Sequence, residues 1–475
     1  MIKKLQLTIS YFSKTLFKLQ ASWTARAVIK RGRQSSFSLF ILPRICYNTS
    51  IGAFCRTREA FVSPAFPTSK EDPSLKRRIS IPELLAELFF AFLLFYFAYK
   101  VSYVGIDYDI HIAKLEGFDF SQLGAYIKEH QEPLWHLTVA AVRKLLGCSL
   151  ERAAGIASGG YFALMYLVAC RLIDFADLEI RKPMLAFLAF CLHIAAAIYV
   201  PFFNKTPYLG QGSPNVWHNP TTIGVKWAAL LVFMLTAAEL TRLVRERFEK
   251  NVRIVPAIVI ALLMVVSNLY KPSLVMVYYP AIFIVCLVWL VRFRGKNLKH
   301  CFELFLVCLP SLLLMIRQFF MSFGAESPEG GGLVIAPFKV ASIYSPNIAV
   351  STLLLLAFPL YMLAVVLAEK KMDMADWFGW LMLLVGLAEK LLLAETGSRA
   401  SHGNLAWGYL LAVYFVWFLA IRDFMLLWQT RSLYAVRVYR MRDHILCFGG
   451  TVLLTLHVLS GAWYLYYLIV LGNSI

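Results

Sequence analysis

From Ile81 onward the chain is a succession of apolar runs of roughly 20 residues separated by short polar stretches. A helix needs about 20 such residues to cross the ~30 Å hydrocarbon core of a bilayer. Barrel strands would instead show alternation over about 10 residues. The pattern predicts about eleven spanning helices, near 82–104, 152–173, 184–203, 221–240, 253–267, 272–292, 301–322, 347–368, 374–393, 405–421 and 445–471. A further run, LWHLTVAAVRKLL at 134–146, is too short to cross and carries Arg143 and Lys144 at one end. Such an amphipathic helix is expected to lie in the membrane interface. The expected fold is therefore all-α: a polytopic membrane protein with amphipathic interfacial helices in its first outer loop.

The loops set the orientation. Basic stretches at 171–182, 241–253, 292–300, 369–371 and 422–442 fall on one side if 134–147 does not span. The positive-inside rule makes that side cytoplasmic. The expectation is a plasma or inner membrane protein with a cytoplasmic N-terminus and an extracytoplasmic C-terminus. Four polar stretches then share the outer face: 105–151, 204–222, 267–273 and 395–404. A fifth, 324–347, is rich in Gly and Pro and reads as a flexible lid or substrate loop. No internal repeat is evident, which weighs against a transporter built on inverted halves.

Composition agrees with the membrane reading, since 59% of residues are hydrophobic and 16% charged. The net charge of +19 does not point to nucleic acid, because the first 80 residues hold 15 Lys and Arg against 3 Asp and Glu. That stretch, 1–80, reads as a basic, disordered N-terminal extension, as a transit-peptide-like leader, or as sequence upstream of the true start codon. Residues 81–475 read as a single transmembrane domain. The nine cysteines form no CxxC pair and no metal-ligand spacing, and several lie in apolar runs where Cys acts as a small hydrophobe.

Candidate chemistry begins where the first apolar run ends. Asp107, Asp109 and His111 alternate, so in an extended segment their side chains share one face. Ionisable groups against a membrane surface are costly to desolvate and usually have a task. One of these acids is suited to act as general base on an acceptor hydroxyl. Its neighbours could set its pKa or bind a divalent cation, Mg or Mn; no other cofactor is implied. The bland alternative is a solvated cap on the helix end. Glu132 and His136 are four apart and share one side of a helix starting near Pro133.

The run PNVWHNPT places Asn215, His218 and Asn219 in a turn that opens the next helix. Free backbone N–H groups after Asn219-Pro220 suit a phosphate oxygen, and His218 or Asn215 could add donors. The competing reading makes Asn219 a helix cap and Trp217 an interfacial anchor. Lys271, Arg399 and His402 stand on the side that the charge bias disfavours, which suggests an anionic ligand. Gln211, Glu395 and Asn404 lie in the same stretches and complete the candidate binding set. Glu389 and Lys390 could pair with each other, and Arg317 with a nearby acid.

The stretch DYDIH…EPLWHLTVAAVRKLLG, at 107–147, resembles the first-loop pattern of bacterial members of the GT-C superfamily of membrane glycosyltransferases. The layout of 81–470 resembles theirs more loosely. What the resemblance implies is transfer of a sugar from a polyprenyl-phosphate donor at the outer membrane face, with membrane lipid as surroundings and no nucleic acid. Asp107 or Asp109 would be the base, and Lys271, Arg399, His218 or His402 would neutralise the departing phosphate. Attack in line would invert the anomeric carbon. The sequence departs from many members in carrying no large soluble domain after its last apolar run, which leaves the acceptor open. Two rivals stand beside this reading. An O-antigen-type polysaccharide polymerase or ligase usually centres on a large late loop. A lipid-linked-sugar transporter or flippase would favour broken helices and charges at mid-membrane depth.

Overall fold

The computed structural model describes residues 81–104, 106–174, 182–324, 331–432 and 441–472. The basic stretch 1–80 lies outside them. Along the chain come α1 (Ile81–Val101), α2 (Ile106–Ala113), α3 (Leu123–Glu129), α4 (Pro133–Leu146), α5 (Leu150–Asp174), α6 (Lys182–Ile194) and α7 (Pro220–Arg245). They are followed by α8 (Ile254–Tyr270), α9 (Ser273–Arg292), α10 (Leu298–Phe323), β1 (Leu333–Ile335), α11 (Lys339–Tyr344), α12 (Ile348–Ala368) and α13 (Met374–Leu392). The series closes with β2 (Leu393–Glu395), α14 (Ala406–Ser432) and α15 (Met441–Ile469).

Among the described residues, 8 helices are long and apolar enough to cross a membrane: α1, α5, α7, α9, α10, α12, α14 and α15. Length and composition thus make the chain a membrane-embedded, multi-pass protein. α6 and α8 are apolar but shorter. α13 interrupts its apolar run with Asp376, Glu389 and Lys390. The fold is mostly helical rather than wholly so, because β1 and β2 pair antiparallel, with Val334 opposite Ala394.

The helices up to Leu426 and from Phe448 onward belong to one compact unit. Residues 427–447 belong to a second unit, and their described part is the last turns of α14 and the first of α15. In the larger unit α1 lies against α5, where Gly155 and Gly159 admit the ring of Tyr99 and the backbone of Phe95. Small residues four apart let membrane helices approach closely. α14 is buried on every side, without a break from Tyr409 to Ile421. A helix that is hydrophobic all round belongs in a core.

Two expectations about elements are corrected. The run 184–203 is not one helix, since α6 stops at Ile194 and the chain continues through the buried, irregular residues Ala195, Ala196 and Ala197. Neighbouring helices satisfy its freed backbone groups. Ala196 N donates to His457 O (3.2 Å), Ile198 N to Leu354 O (3.0 Å) and Tyr199 N to Ser460 Oγ (3.1 Å). Pro201 also disfavours helix at the residue before it. The second correction concerns Asp107, Asp109 and His111, which lie on helix α2 rather than on an extended segment. Helical spacing unites Asp107 with His111 and turns Asp109 away, where it is exposed.

Hydrogen bonds tie the polar stretches together. Gln318 Nε2 donates to Gln131 O (2.8 Å), Asn204 Nδ2 to Ser351 Oγ (3.1 Å), and Tyr344 Oη to Ser401 O (2.8 Å). The basic stretches are tied elsewhere: Val252 N donates to Glu303 (2.9 Å) and His300 Nε2 contacts Lys250 O (3.2 Å). α7 joins the two groups. It starts beside Asn219 and ends at Arg245, about 39 Å away at ~1.5 Å per residue.

Candidate functional site

Asp107 sits in the first turn of α2, where the helix N-terminus favours an acid. Its Oδ2 accepts a 2.8 Å hydrogen bond from Asn219 Nδ2. Asn219 is the N-cap of α7 and Pro220 its first residue, as the Asn-Pro pair predicts. Lys271 fills the two-residue turn between α8 and α9 with Pro272. Its Nζ donates to Asn219 Oδ1 (3.1 Å) and Thr221 Oγ1 (3.3 Å) and lies 4.0 Å from the centre of the Trp407 ring. Burial lowers the Lys271 pKa, while the negative charges of Glu132 and Asp107 oppose that shift.

Beside this chain of contacts lie two histidines. His136 Nδ1 is 3.0 Å from Glu132 O, so it carries a proton and donates it; His136 Nε2 then accepts from His111 Nδ1 at 2.9 Å. Burial, reinforced by His136 and Lys271, lowers the His111 pKa to about 2. Burial and the charge of Lys114 lower that of His136 to about 3. Both rings are therefore neutral hydrogen-bonding elements.

A cavity of about 420 Å³ opens next to Asp107. Its apolar wall includes Val101, Val104, Ile348, Leu410 and Leu468, and its polar groups include Asp107, His218, Lys390, His402 and Asn404. Val340, Ala341 and Tyr344 of α11 contribute a further side. The stretch expected as a lid thus supplies wall residues from its described part, while 325–330 lie outside it. His218 Nδ1 is 3.0 Å from Tyr464 Oη, and burial, helped by Lys271, lowers its pKa to about 3. It is a neutral donor or acceptor, not the cation expected of it. Burial and then the charge of Asp107 push the Tyr208 phenol up.

The remaining predicted residues divide. Asn404 Nδ2 donates to Glu395 Oε2 (2.7 Å), and Glu395 also lies 3.8 Å from Arg399. Arg399 therefore has a carboxylate of its own. Gln211 is tied into its loop, accepting from Asn204 (3.2 Å) and donating to Pro207 O (2.9 Å). Asn215 Nδ2 caps the broken end of α6 through Leu192 O (2.7 Å) and Ala195 O (3.0 Å). Trp217 is a core residue stacked on Phe162 at 4.0 Å, not an interfacial anchor. Arg317 meets the carbonyls of Ile127 and Lys128 at the end of α3 (both 2.9 Å). Lys390, read from sequence as a partner for Glu389, instead lines the cavity with its ammonium 4.6 Å from the Tyr409 ring centre. Trp407 and Tyr208 join the wall too. The signal for Lys390 was a cation retained near the end of an apolar run. Among the described residues no three His, Cys, Asp or Glu side chains converge as ligands around a metal would, so the divalent cation meets no ready-made ligand set.

A scan against models of known protein families finds no match to this chain, and a search of curated proteins finds no similar sequence.

Proposed function

We propose that the protein is a membrane glycosyltransferase that moves a sugar from a polyprenyl-phosphate donor to an acceptor hydroxyl on the extracytoplasmic face. In this reading α6, α8 and α13 complete eleven crossings, and α2, α3 and α4 lie at the outer interface. The observation that carries it is the cavity: an acid, Asp107, and a lysine, Lys390, share a wall with predominantly apolar side chains. A lipid-linked anionic donor requires that combination of an apolar groove, a cation at headgroup depth and an acid outside the hydrocarbon.

The reaction follows from those groups. Asp107 takes the proton of the acceptor hydroxyl, and the oxygen attacks the anomeric carbon as the bond to the phosphate oxygen breaks. The phosphate leaves with the electron pair, and Lys390 offsets its charge. Attack opposite the leaving group inverts the anomeric carbon. His218 and His402 serve as hydrogen-bonding groups along the sugar or phosphate.

The test uses the full chain in proteoliposomes with radiolabelled polyprenyl-phosphate sugars and a glycan acceptor. Wild type consumes a donor, and Asp107→Asn reduces turnover about 1000-fold. Consumption unaltered by Asp107→Asn refutes the assignment. The break in α6 at Ile194 favours a second reading, a lipid-linked-sugar transporter. Its signature would be label that changes leaflet without being consumed. A polymerase or ligase would instead require a donor already carrying an oligosaccharide.

A further inference from the structure

The candidate binding set includes Asn219 and Lys271, yet among the described residues neither lines the cavity. Both are buried, 5% and 8% exposed. The bonds around Asn219 indicate a different task. Its Oδ1 lies within reach of three donors: Thr222 N at 3.0 Å, Thr221 Oγ1 at 3.1 Å and Lys271 Nζ at 3.1 Å. A backbone N–H and an ammonium can only donate, so the amide atom they share is the oxygen. The amide is thereby fixed, and its nitrogen must face Asp107. An amide N–H can only donate in turn, so Asp107 Oδ2 must accept. One carboxylate oxygen is tied to the amide, and Asp107 lines the cavity.

We infer that Asn219 and Lys271 are positioning residues, which lock the Asp107 carboxylate in orientation rather than touch the substrate. The inference rests on the proposed role of Asp107 as base. Lys271 holds Asn219, Asn219 holds Asp107, and Trp407 covers the Lys271 ammonium while lining the cavity. The arrangement links α2, α7, the turn after α8 and α14 through hydrogen bonds and a cation–π contact. A base anchored by a fixed amide loses the freedom to swing away from its proton, and a misplacement of ~1 Å can cost about 100-fold in rate.

Two substitutions separate positioning from capping and from ligand contact. Serine caps a helix as well as asparagine does, so Asn219→Ser retains the α7 cap while its shorter side chain withdraws the donor from Asp107 and the acceptor from Lys271. Asn219→Asp retains the cap, the shape and a partner for Lys271, but turns a carboxylate oxygen toward Asp107. In full-length protein assayed with the polyprenyl-phosphate sugar, Asn219→Ser lowers kcat about 100-fold, with KM for the donor and Tm unchanged. Asn219→Asp lowers kcat further. Lys271→Met follows Asn219→Ser, and Lys271→Arg recovers part of the loss. Unchanged kcat in Asn219→Ser overturns the inference, as does a raised KM at unchanged kcat, which would make Asn219 a ligand contact. Asp107→Asn is measured alongside. If it is inactive while Asn219→Ser equals wild type, the positioning role falls alone; if it is active, the catalytic reading falls as well. A measurement independent of turnover completes the test. The infrared carboxylate band isolated by the wild-type minus Asp107→Asn difference should shift in Asn219→Ser, and a band that stays in place overturns the hydrogen bond itself.

Discussion

At the scale of the residue, helical phase separates the two acids that the sequence leaves equivalent. Asp107 reaches the cavity and Asn219, whereas Asp109 is exposed on another flank of α2. Asp109→Asn should accordingly leave donor turnover within about 2-fold of wild type while Asp107→Asn lowers it about 1000-fold, in the same radiolabel assay. The histidines carry a second expectation. His111, His136 and His218 fall from an ordinary value of 6.5 to about 2, about 3 and about 3. The unfolded chain therefore binds protons between pH 6.5 and 3 that the folded chain refuses, so stability is full above that window and declines as pH falls through it. Thermal unfolding in detergent should show Tm dropping from pH 7 to pH 4.5, less steeply in a His111→Asn, His136→Asn double variant. The sequence reveals which residue types stand near the membrane surface, because polar groups interrupt apolar runs. It does not reveal that Lys271 faces Asn219 or that Lys390 faces the cavity, because those directions depend on helices distant along the chain.

At the scale of the element, nine of the expected spans fall within about five residues of an observed helix and a tenth, 405–421, is carried on by α14 to Ser432, because bilayer-length apolar runs have few other ways to satisfy their backbone. The exception, 184–203, contains Pro201 and also meets another element at its break. α15 approaches the end of α6 so closely that a Cβ on Gly461 would stand 1.7 Å from Ile194 O. No property of the run itself announces that contact. Gly461→Ala should force the two segments apart and cost about 1–3 kcal/mol or more, read as a lowered Tm and reduced yield of folded protein from membranes. The short β1–β2 pair was equally hidden, since three-residue strands lack a readable period. The amphipathic 134–146 run, by contrast, was bounded correctly as α4, whose 14 residues span only ~21 Å.

At the scale of the molecule, α7 connects the polar stretches with the basic ones, and the second of these is held by buried charge. Arg422 of α14 meets Asp373 (2.9 Å), Asp376 (2.8 Å) and Asp423 (2.8 Å). From there α14 runs back to Trp407 at the cavity. Its central window is 89% buried, against 22% for α1 and α10. That contrast governs which changes descendants of this gene can accept. Outer helices can drift on the flank that meets only lipid, so their tolerated substitutions should recur every third or fourth position. Between Tyr409 and Ile421 α14 has no such flank. In a saturation mutagenesis scan scored for folded protein, α1 and α10 should show a tolerance rhythm near 3.6 residues, whereas α14 from Tyr409 to Ile421 should be uniformly restrictive. A periodic profile there would mean that the helix has a free side after all.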